Sequence, residues 1–267
     1  VTPLTVIVPM RDQLPVTRKL LACLAEQTRQ PEQIVILDNG STGKTAAALE
    51  RIAAADARVE VEDCQGMTIY EAWNRGFLLA RREWETQPAS EFHVLVTNND
   101  VTFPAWALAA MGAALDAASD RAAAYPDFQS RSAWKGRSVD PSPACEETRG
   151  VWGSGGMLGF CFMLAGHRIG WRPLVQDLTY RWWYGDNHLA RSIELAGLKQ
   201  VKVTGLPILH QHEATAKHYD LAEAKRLDRE HWEVVTGQRP LRQRPPTRGA
   251  RVVPRQWSRR PPTVPGG

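Results

Sequence analysis

Three short apolar runs in the first hundred residues each close on side chains able to hold a polar ligand. Met10-Arg11-Asp12 follows the run Leu4–Pro9, Asp38-Asn39-Gly40-Ser41 closes Gln33–Asp38, and Asn98-Asn99-Asp100 follows Glu91–Thr97. In an open parallel sheet, ligands bind beyond the carboxyl ends of the strands, so three such clusters on one edge point to a site there. Each cluster taken alone is more often a polar turn or helix cap than a site. Two histidines, His210 and His212, are spaced by two on a short strand and face the same way, as a metal-binding pair or as surface residues of an edge strand. Asp186 opens a helix after the aromatic run Tyr180-Arg181-Trp182-Trp183-Tyr184, where an aspartate serves as a cap or as a base for a hydroxyl. The segment Asp38–Thr45 (DNGSTGKT) nearly spells the phosphate-cradling GxxxxGK[ST] loop. However, Asp38 stands where that loop needs its first glycine, which argues against an ATPase or kinase. No glycine follows the first run, which argues against a nucleotidyltransferase.

The elements that must position these residues alternate. Leu4–Pro9, Gln33–Asp38, Val59–Asp63 and Glu91–Thr97 read as strands, the apolar and β-branched ones as buried parallel strands. Between and after them, helices are predicted from Pro15 (with Val16, Leu20 and Leu24 on one face), over Thr45–Ala55, over Ile69–Arg82 and from Pro104 to about Ser119. Four β-α units in a row imply a parallel sheet covered on both faces. Tyr125–Gly156 breaks the pattern and reads as a long functional loop. Leu158–Leu164 resumes as a strand, Asp186–Ala196 as a helix stopped by Gly197, and Gln200–Leu209 as short strands. A last helix, Leu221–Val235, carries Ala224, Leu227, His231 and Val235 on one stripe.

Composition bounds the reading. The chain has 267 residues, 43% hydrophobic and 23% charged, enough to build a core. No run approaches the roughly 18 apolar residues of a membrane span, and no basic-then-apolar leader is read at the start. The four cysteines show no metal or disulfide spacing and fit reduced thiols of a cytoplasmic protein. The net charge of +4 divides into +8 over residues 238–267, which hold eight arginines, seven prolines and no acid, and −4 over residues 1–237. One α/β domain over 1–237 with a flexible basic tail over 238–267 is therefore expected.

In this order the motifs resemble those of the family 2 glycosyltransferases, enzymes of the GT-A fold with a Rossmann-like, mostly parallel sheet. Thr5–Gln13 (TVIVPMRDQ) resembles the family's opening strand, Ile36–Thr45 its DxxSxD segment, and Glu71–Ala80 its Asn-x-Gly helix. Val94–Val101 (VLVTNNDV) stands at the DxD position, and Trp152–Leu164 is similar to the acceptor-side glycine-rich strand. Tyr184–Gly197 is similar to the ED helix start, and Leu209–Thr215 to a late histidine motif. Two departures stand out: Asn98 replaces the first DxD acid, and Gly185 the first acid of the ED pair.

The resemblance implies an inverting transfer of a sugar from a nucleotide-diphosphate donor to an acceptor hydroxyl. It assigns Pro9, Arg11, Asp38, Asn74, Asn98 and Asn99 to the nucleotide, and Asp100, His210 and His212 to Mn2+ or Mg2+. A hard divalent ion binds through few carboxylates plus phosphate oxygens and neutralises the leaving group. Asp186 takes the role of catalytic base, and Trp152, Gly155 and Trp183 line the acceptor cleft, where indole faces can stack on a sugar or base. The arginine-rich tail would contact a polyanion, so DNA carrying a hydroxylated base joins glycans and lipid-linked sugars as an acceptor. The competing reading is a GT-A scaffold that only binds nucleic acid or glycan.

Overall fold

The computed structural model describes residues 2–85, 91–127, 144–150, 156–170, 173–210 and 221–237. The first half follows the alternation expected: β1 (Leu4–Met10), α1 (Leu14–Ala25), β2 (Gln33–Asp38), α2 (Gly43–Ala55), β3 (Val59–Asp63), α3 (Ile69–Glu85) and β4 (His93–Thr97). A two-residue strand β5 (Val101–Thr102), α4 (Ala107–Asp116) and β6 (Arg121–Pro126) come next. The second half adds β7 (Cys145–Thr148), β8 (Cys161–Ala165), the single turn α5 (Gly166–Ile169), α6 (Gly185–Leu195), β9 (Lys199–Val203), β10 (Leu209–His210) and α7 (Ala222–Thr236).

Among the described residues the main sheet has eight strands in the order β3-β2-β1-β4-β8-β6-β9-β7. β3, β2, β1 and β4 are parallel, as are β6 and β9, whereas β8 runs antiparallel between β4 and β6 and β7 closes the edge antiparallel to β9. The sheet is therefore mixed, where the β-α alternation alone predicts a parallel one. Every residue of β4 and β8 is buried, as expected of central strands covered on both faces. Edge strand β7 instead carries Glu146 and Glu147, which pair with Lys202 and Lys199 across the ladder and leave the edge charged. β7 falls inside the stretch expected to be irregular and β6 ends at its start; neither is read as a strand in the sequence, because RAAAYP is alanine-rich and CEET is polar.

Two local devices fix where α3 begins and where α6 ends. Thr68 and Glu71 form a reciprocal capping box: the Thr68 amide donates to Glu71 Oε2 at 2.7 Å and the Glu71 amide to Thr68 Oγ1 at 3.2 Å, fixing the start of α3. Past the last turn of α6, Gly197 adopts φ 72°, its amide bonds Glu194 O and the next amide bonds Ile193 O, so the helix stops where the glycine predicts. The last helix differs from expectation. Its inward residues are Asp228 and Trp232, while Leu227 and Val235 are about half exposed. A polar anchor, not an aliphatic stripe, faces the body. Among the described residues no helix is long and apolar enough to cross a membrane.

Candidate active site

The loops after β1 and β2 are stapled to one another. Asp12 and Gln13 both adopt φ 54°, a left-handed conformation that non-glycine residues rarely hold without support. The support is visible: the Asp12 amide donates to Ser41 Oγ at 2.7 Å, and Asp12 Oδ1 accepts from both the amide and the hydroxyl of Thr42 at 2.9 Å. Asp38, at the end of β2, accepts the Ser41 amide through Oδ1 at 2.9 Å. Asn39 bonds the Gly66–Met67 turn with both ends of its carboxamide. Pro9 is half-buried in β1 opposite Leu37, and Arg11 is exposed at the rim. Pro9, Arg11 and Asp38 thus lie together on the carboxyl edge of β1 and β2.

Beyond β4, the chain turns through Asn98, Asn99 and Asp100. Asn98 remains partly exposed and its amide donates to Phe160 O at 2.9 Å. Asn99 is buried, and its carboxamide donates to Thr17 Oγ1 of α1 at 3.1 Å, tying the loop to that helix. Asp100 is 5% exposed. Strand β10 pairs antiparallel with β5, setting His210 opposite Val101, so two residues far apart in the chain become neighbours. Asp100 Oδ1 lies 3.1 Å from His210 Nε2, and the imidazole stacks on Phe160 at 4.1 Å and 14°. The separation is close to the roughly 3 Å expected between adjacent ligands of an octahedral ion with bonds of about 2.1 Å. One carboxylate and one imidazole, both nearly buried, fit a small divalent cation that keeps most of its shell for water and phosphate. Among the described residues no group of three such ligands occurs; His212 lies outside them.

Asp186 is built differently from a cap. The N-cap of α6 is Tyr184, at φ 67°, and Asp186 is the second residue of the helix. Asp186 Oδ1 accepts the Asn187 amide at 3.0 Å. Its other oxygen rests against Gly159, where a Cβ would collide with the carboxylate. The residue keeps some exposed surface, but the crowding around its carboxyl desolvates the charged form and raises its pKa above the ordinary aspartate value; the Asn187 amide works against that shift. Gly185 has a structural cause as well. A Cβ there would strike the ring of Tyr70, a fully enclosed residue at the start of α3, so no acid can occupy the position that Gly185 takes.

Gly159 and Phe160 belong to one turn, closed by the Cys161 amide on Leu158 O at 3.1 Å. Asp186 lies on the first of these residues and the Asp100–His210 pair on the second. The two groups therefore meet the same turn at adjacent residues. Neither Gly159 nor Phe160 stands out by residue type; only the glycine-rich character of the segment hints at close approach.

Other expected site residues fall elsewhere. Asn74 donates to Val175 O at 2.8 Å and accepts the Val175 amide at 3.0 Å, so its carboxamide tethers α3 to the segment before α6, which leaves its expected nucleotide contact without support. Gly76 of the same motif serves packing, since a Cβ there would approach Ile7 Cγ2 to 2.7 Å. Trp183 is half-buried with Lys225 Nζ 5.2 Å from its ring centre. Trp152 and Gly155 lie outside the described residues, as does the tail 238–267.

Residues 5–125 match the family model described as Glycosyl transferase family 2. Among solved structures, the chain is similar to mannosyltransferase PcManGT from Pyrobaculum calidifontis in complex with GDP-Man and Mn2+ (18% identity, TM-score 0.60, covering 90% of this chain and 66% of that one). It is also similar to GalNAc-T7 with UDP, GalNAc and Mn2+ (12% identity, TM-score 0.58, 78% and 44%). A third is S. aureus TarS 1-349 in complex with UDP-GlcNAc (17% identity, TM-score 0.54, 87% and 67%). The chain thus spans between 44% and 67% of these relatives' lengths. The fold is that of the GT-A glycosyltransferases. No curated protein matches the chain in sequence.

Proposed function

We propose that this GT-A chain, matched over residues 5–125 by the family 2 model, is an inverting, metal-dependent glycosyltransferase that moves a sugar from a nucleotide diphosphate to an acceptor hydroxyl. The observation that carries the reading is that one turn meets both groups at adjacent residues: Asp186 at Gly159, and His210, paired with Asp100, at Phe160. Direct displacement needs a base on one side of the anomeric carbon and charge neutralisation on the other. Asp186 takes the proton of the acceptor hydroxyl as that oxygen bonds to the anomeric carbon, and the departing diphosphate leaves from the opposite face. Asp100 and His210, with His212 two residues on, are the side chains that would hold Mn2+ or Mg2+. When bound, that cation supplies charge neutralisation for the leaving diphosphate. The relatives bound to GDP-Man, UDP-GlcNAc and Mn2+ support the donor and metal classes.

Pro9, Arg11, Asp38 and Asn98 rim the nucleotide side, with Asn99 anchoring the loop that carries Asp100. On the acceptor side, Trp183, with Trp152 and Gly155 as the other residues the family resemblance assigns there, would meet the acceptor, which is a glycan, a lipid-linked sugar or a hydroxylated base in DNA. The arginines of 238–267 are the polyanion contact in the last case. The test is nucleotide release from a panel of UDP-, GDP- and dTDP-sugars with and without Mn2+. The expected outcome is Mn2+-dependent release from at least one donor. The Mn2+ concentration giving half-maximal rate should rise at least about 10-fold in Asp100→Asn or His210→Gln, the scale typical of disturbed metal sites. An inert protein that still binds polyanion would instead favour the binding scaffold.

A further inference from the structure

We infer that Asp228 is a positioning residue that sets the acceptor-side strap, residues 181–183, and through it the direction of Asp186; the inference rests on the reading of Asp186 as base. Asp228 sits on α7, is 2% exposed, and accepts three consecutive main-chain amides. The Arg181 amide reaches Oδ1 and Oδ2 at 3.1 and 3.2 Å, and those of Trp182 and Trp183 reach Oδ2 at 2.8 and 2.9 Å. Successive amides converging on one anion form a concave nest, and bonds to an ionised acceptor are the strong ones. From the nest the chain passes directly through Tyr184, whose left-handed backbone starts α6, to Gly185 and Asp186. Two residues therefore separate the last clamped amide from the base.

The rest of α7 reinforces the clamp. Trp232 stacks on Tyr184 at 5.9 Å, Lys225 lies over Trp183, and His231 Nε2 meets Asp177 Oδ2 at 2.6 Å just before the strap. Held this way, Trp182 stays 40% exposed beside the half-buried Trp183, a few residues before Asp186 in the chain. An aspartate suits the role because both its oxygens accept. Asparagine offers one acceptor oxygen and an NH2 that would face the amides it must bind.

The experiment compares wild type, Asp228→Asn, Asp228→Glu and Asp186→Asn in the full chain. It measures kcat and KM for the nucleotide sugar that wild type turns over with Mn2+, and amide hydrogen exchange. The expected result for Asp228→Asn is a 10- to 100-fold fall in kcat with donor KM within about threefold of wild type. Exchange at residues 181–183 should quicken at least 10-fold while the β1 and β4 amides keep their protection, and Asp228→Glu should recover part of the rate. Unchanged strap exchange, unchanged kcat with a freed strap, or a loss confined to donor KM each overturn the inference. If Asp228→Asn does not fold, Asp228→Glu is read by the same criteria, and failure of both to fold overturns a positional role. The base reading fails separately, on continued turnover by Asp186→Asn or on no donor turnover by wild type; strap exchange then decides the clamp alone.

Discussion

At the residue scale, Asp186 in its proposed role of base faces opposing demands. A base must be ionised at working pH, yet burial against Gly159 raises its pKa and so penalises the ionised form. A group whose folded pKa lies above its unfolded value stabilises the fold below the unfolded value, and that contribution is lost as pH rises through the folded one. At neutral pH the carboxyl of Asp186 therefore costs stability. Asp186→Asn should melt at a higher temperature than wild type at pH 7 to 8, with the gap closing as the pH drops toward about 4, where the unfolded carboxyl takes up its proton. The same variant should lose about 1000-fold in transfer, within the range for removing a general base. In wild type, kcat/KM should fall on the acid side with a midpoint above the ordinary aspartate value. Thermal melts at several pH values alongside nucleotide release check both halves. A variant that is inactive and also less stable at pH 8 would make the carboxylate a structural group.

At the scale of elements, the site depends on how closely the Leu158–Phe160 turn and α6 approach. Gly159→Ala adds a single carbon that must displace the Asp186 carboxylate, and a misplacement near 1 Å is worth about 100-fold in rate. The expected outcome is a kcat loss of that order with donor KM and Mn2+ response little changed, since the Asp100–His210 pair lies on the neighbouring residue. A proportional loss of nucleotide affinity would place Gly159 elsewhere in the machinery. Contacts of this kind mark the boundary of what is legible in the chain. β1, β2 and β4 are legible as buried apolar runs and β3 by its Val-x-Val alternation, and the helices between them by their apolar spacing and the Pro, Gly or polar turns that bound them. The ends of those strands point to Asp38 and Asp100, whereas Asp186 by its place alone reads as a helix cap and is singled out by the resemblance to the family's ED motif. Less is visible beyond residue 120. β6 is alanine-rich and β7 polar, so neither carries a strand's pattern, and the antiparallel insertion of β8 has no local signature. The pairing of His210 with Val101 depends on a two-residue strand. Asp228 reads as one more acid on a charged helix, and its three amide partners lie more than forty residues away.

At the scale of the whole molecule, two charge distributions make separate predictions. The last thirty residues hold eight arginines and no acid while residues 1–237 carry −4, so affinity for duplex DNA should reside in the tail. Deleting 238–267 should abolish binding, and for the full chain log Kd should steepen with log salt to a slope of at most about 7, the limit for eight phosphate contacts. Binding that survives the deletion would move the contact to the body. The second distribution concerns His93, fully buried in β4 with Arg29 Nη2 3.1 Å from Nδ1 and Asp116 Oδ1 3.1 Å from Nε2. Burial first, then the positive charges of Arg29 and its neighbours, lowers its pKa to about 3. The unfolded chain takes up a proton near pH 6.5 that the fold refuses until far lower. Stability is therefore full above pH 6.5 and declines as the pH falls toward 3, by on the order of 4 kcal/mol across that window. His167, packed nearby, is lowered by the same burial and adds to the slope. Urea midpoints between pH 7 and 4 should fall steadily in wild type, and His93→Gln should flatten the profile whatever its stability at pH 7. An equal slope in the variant would mean that the imidazole is protonated in place, paired with Asp116, and that the acid sensitivity of the fold arises at its carboxylates.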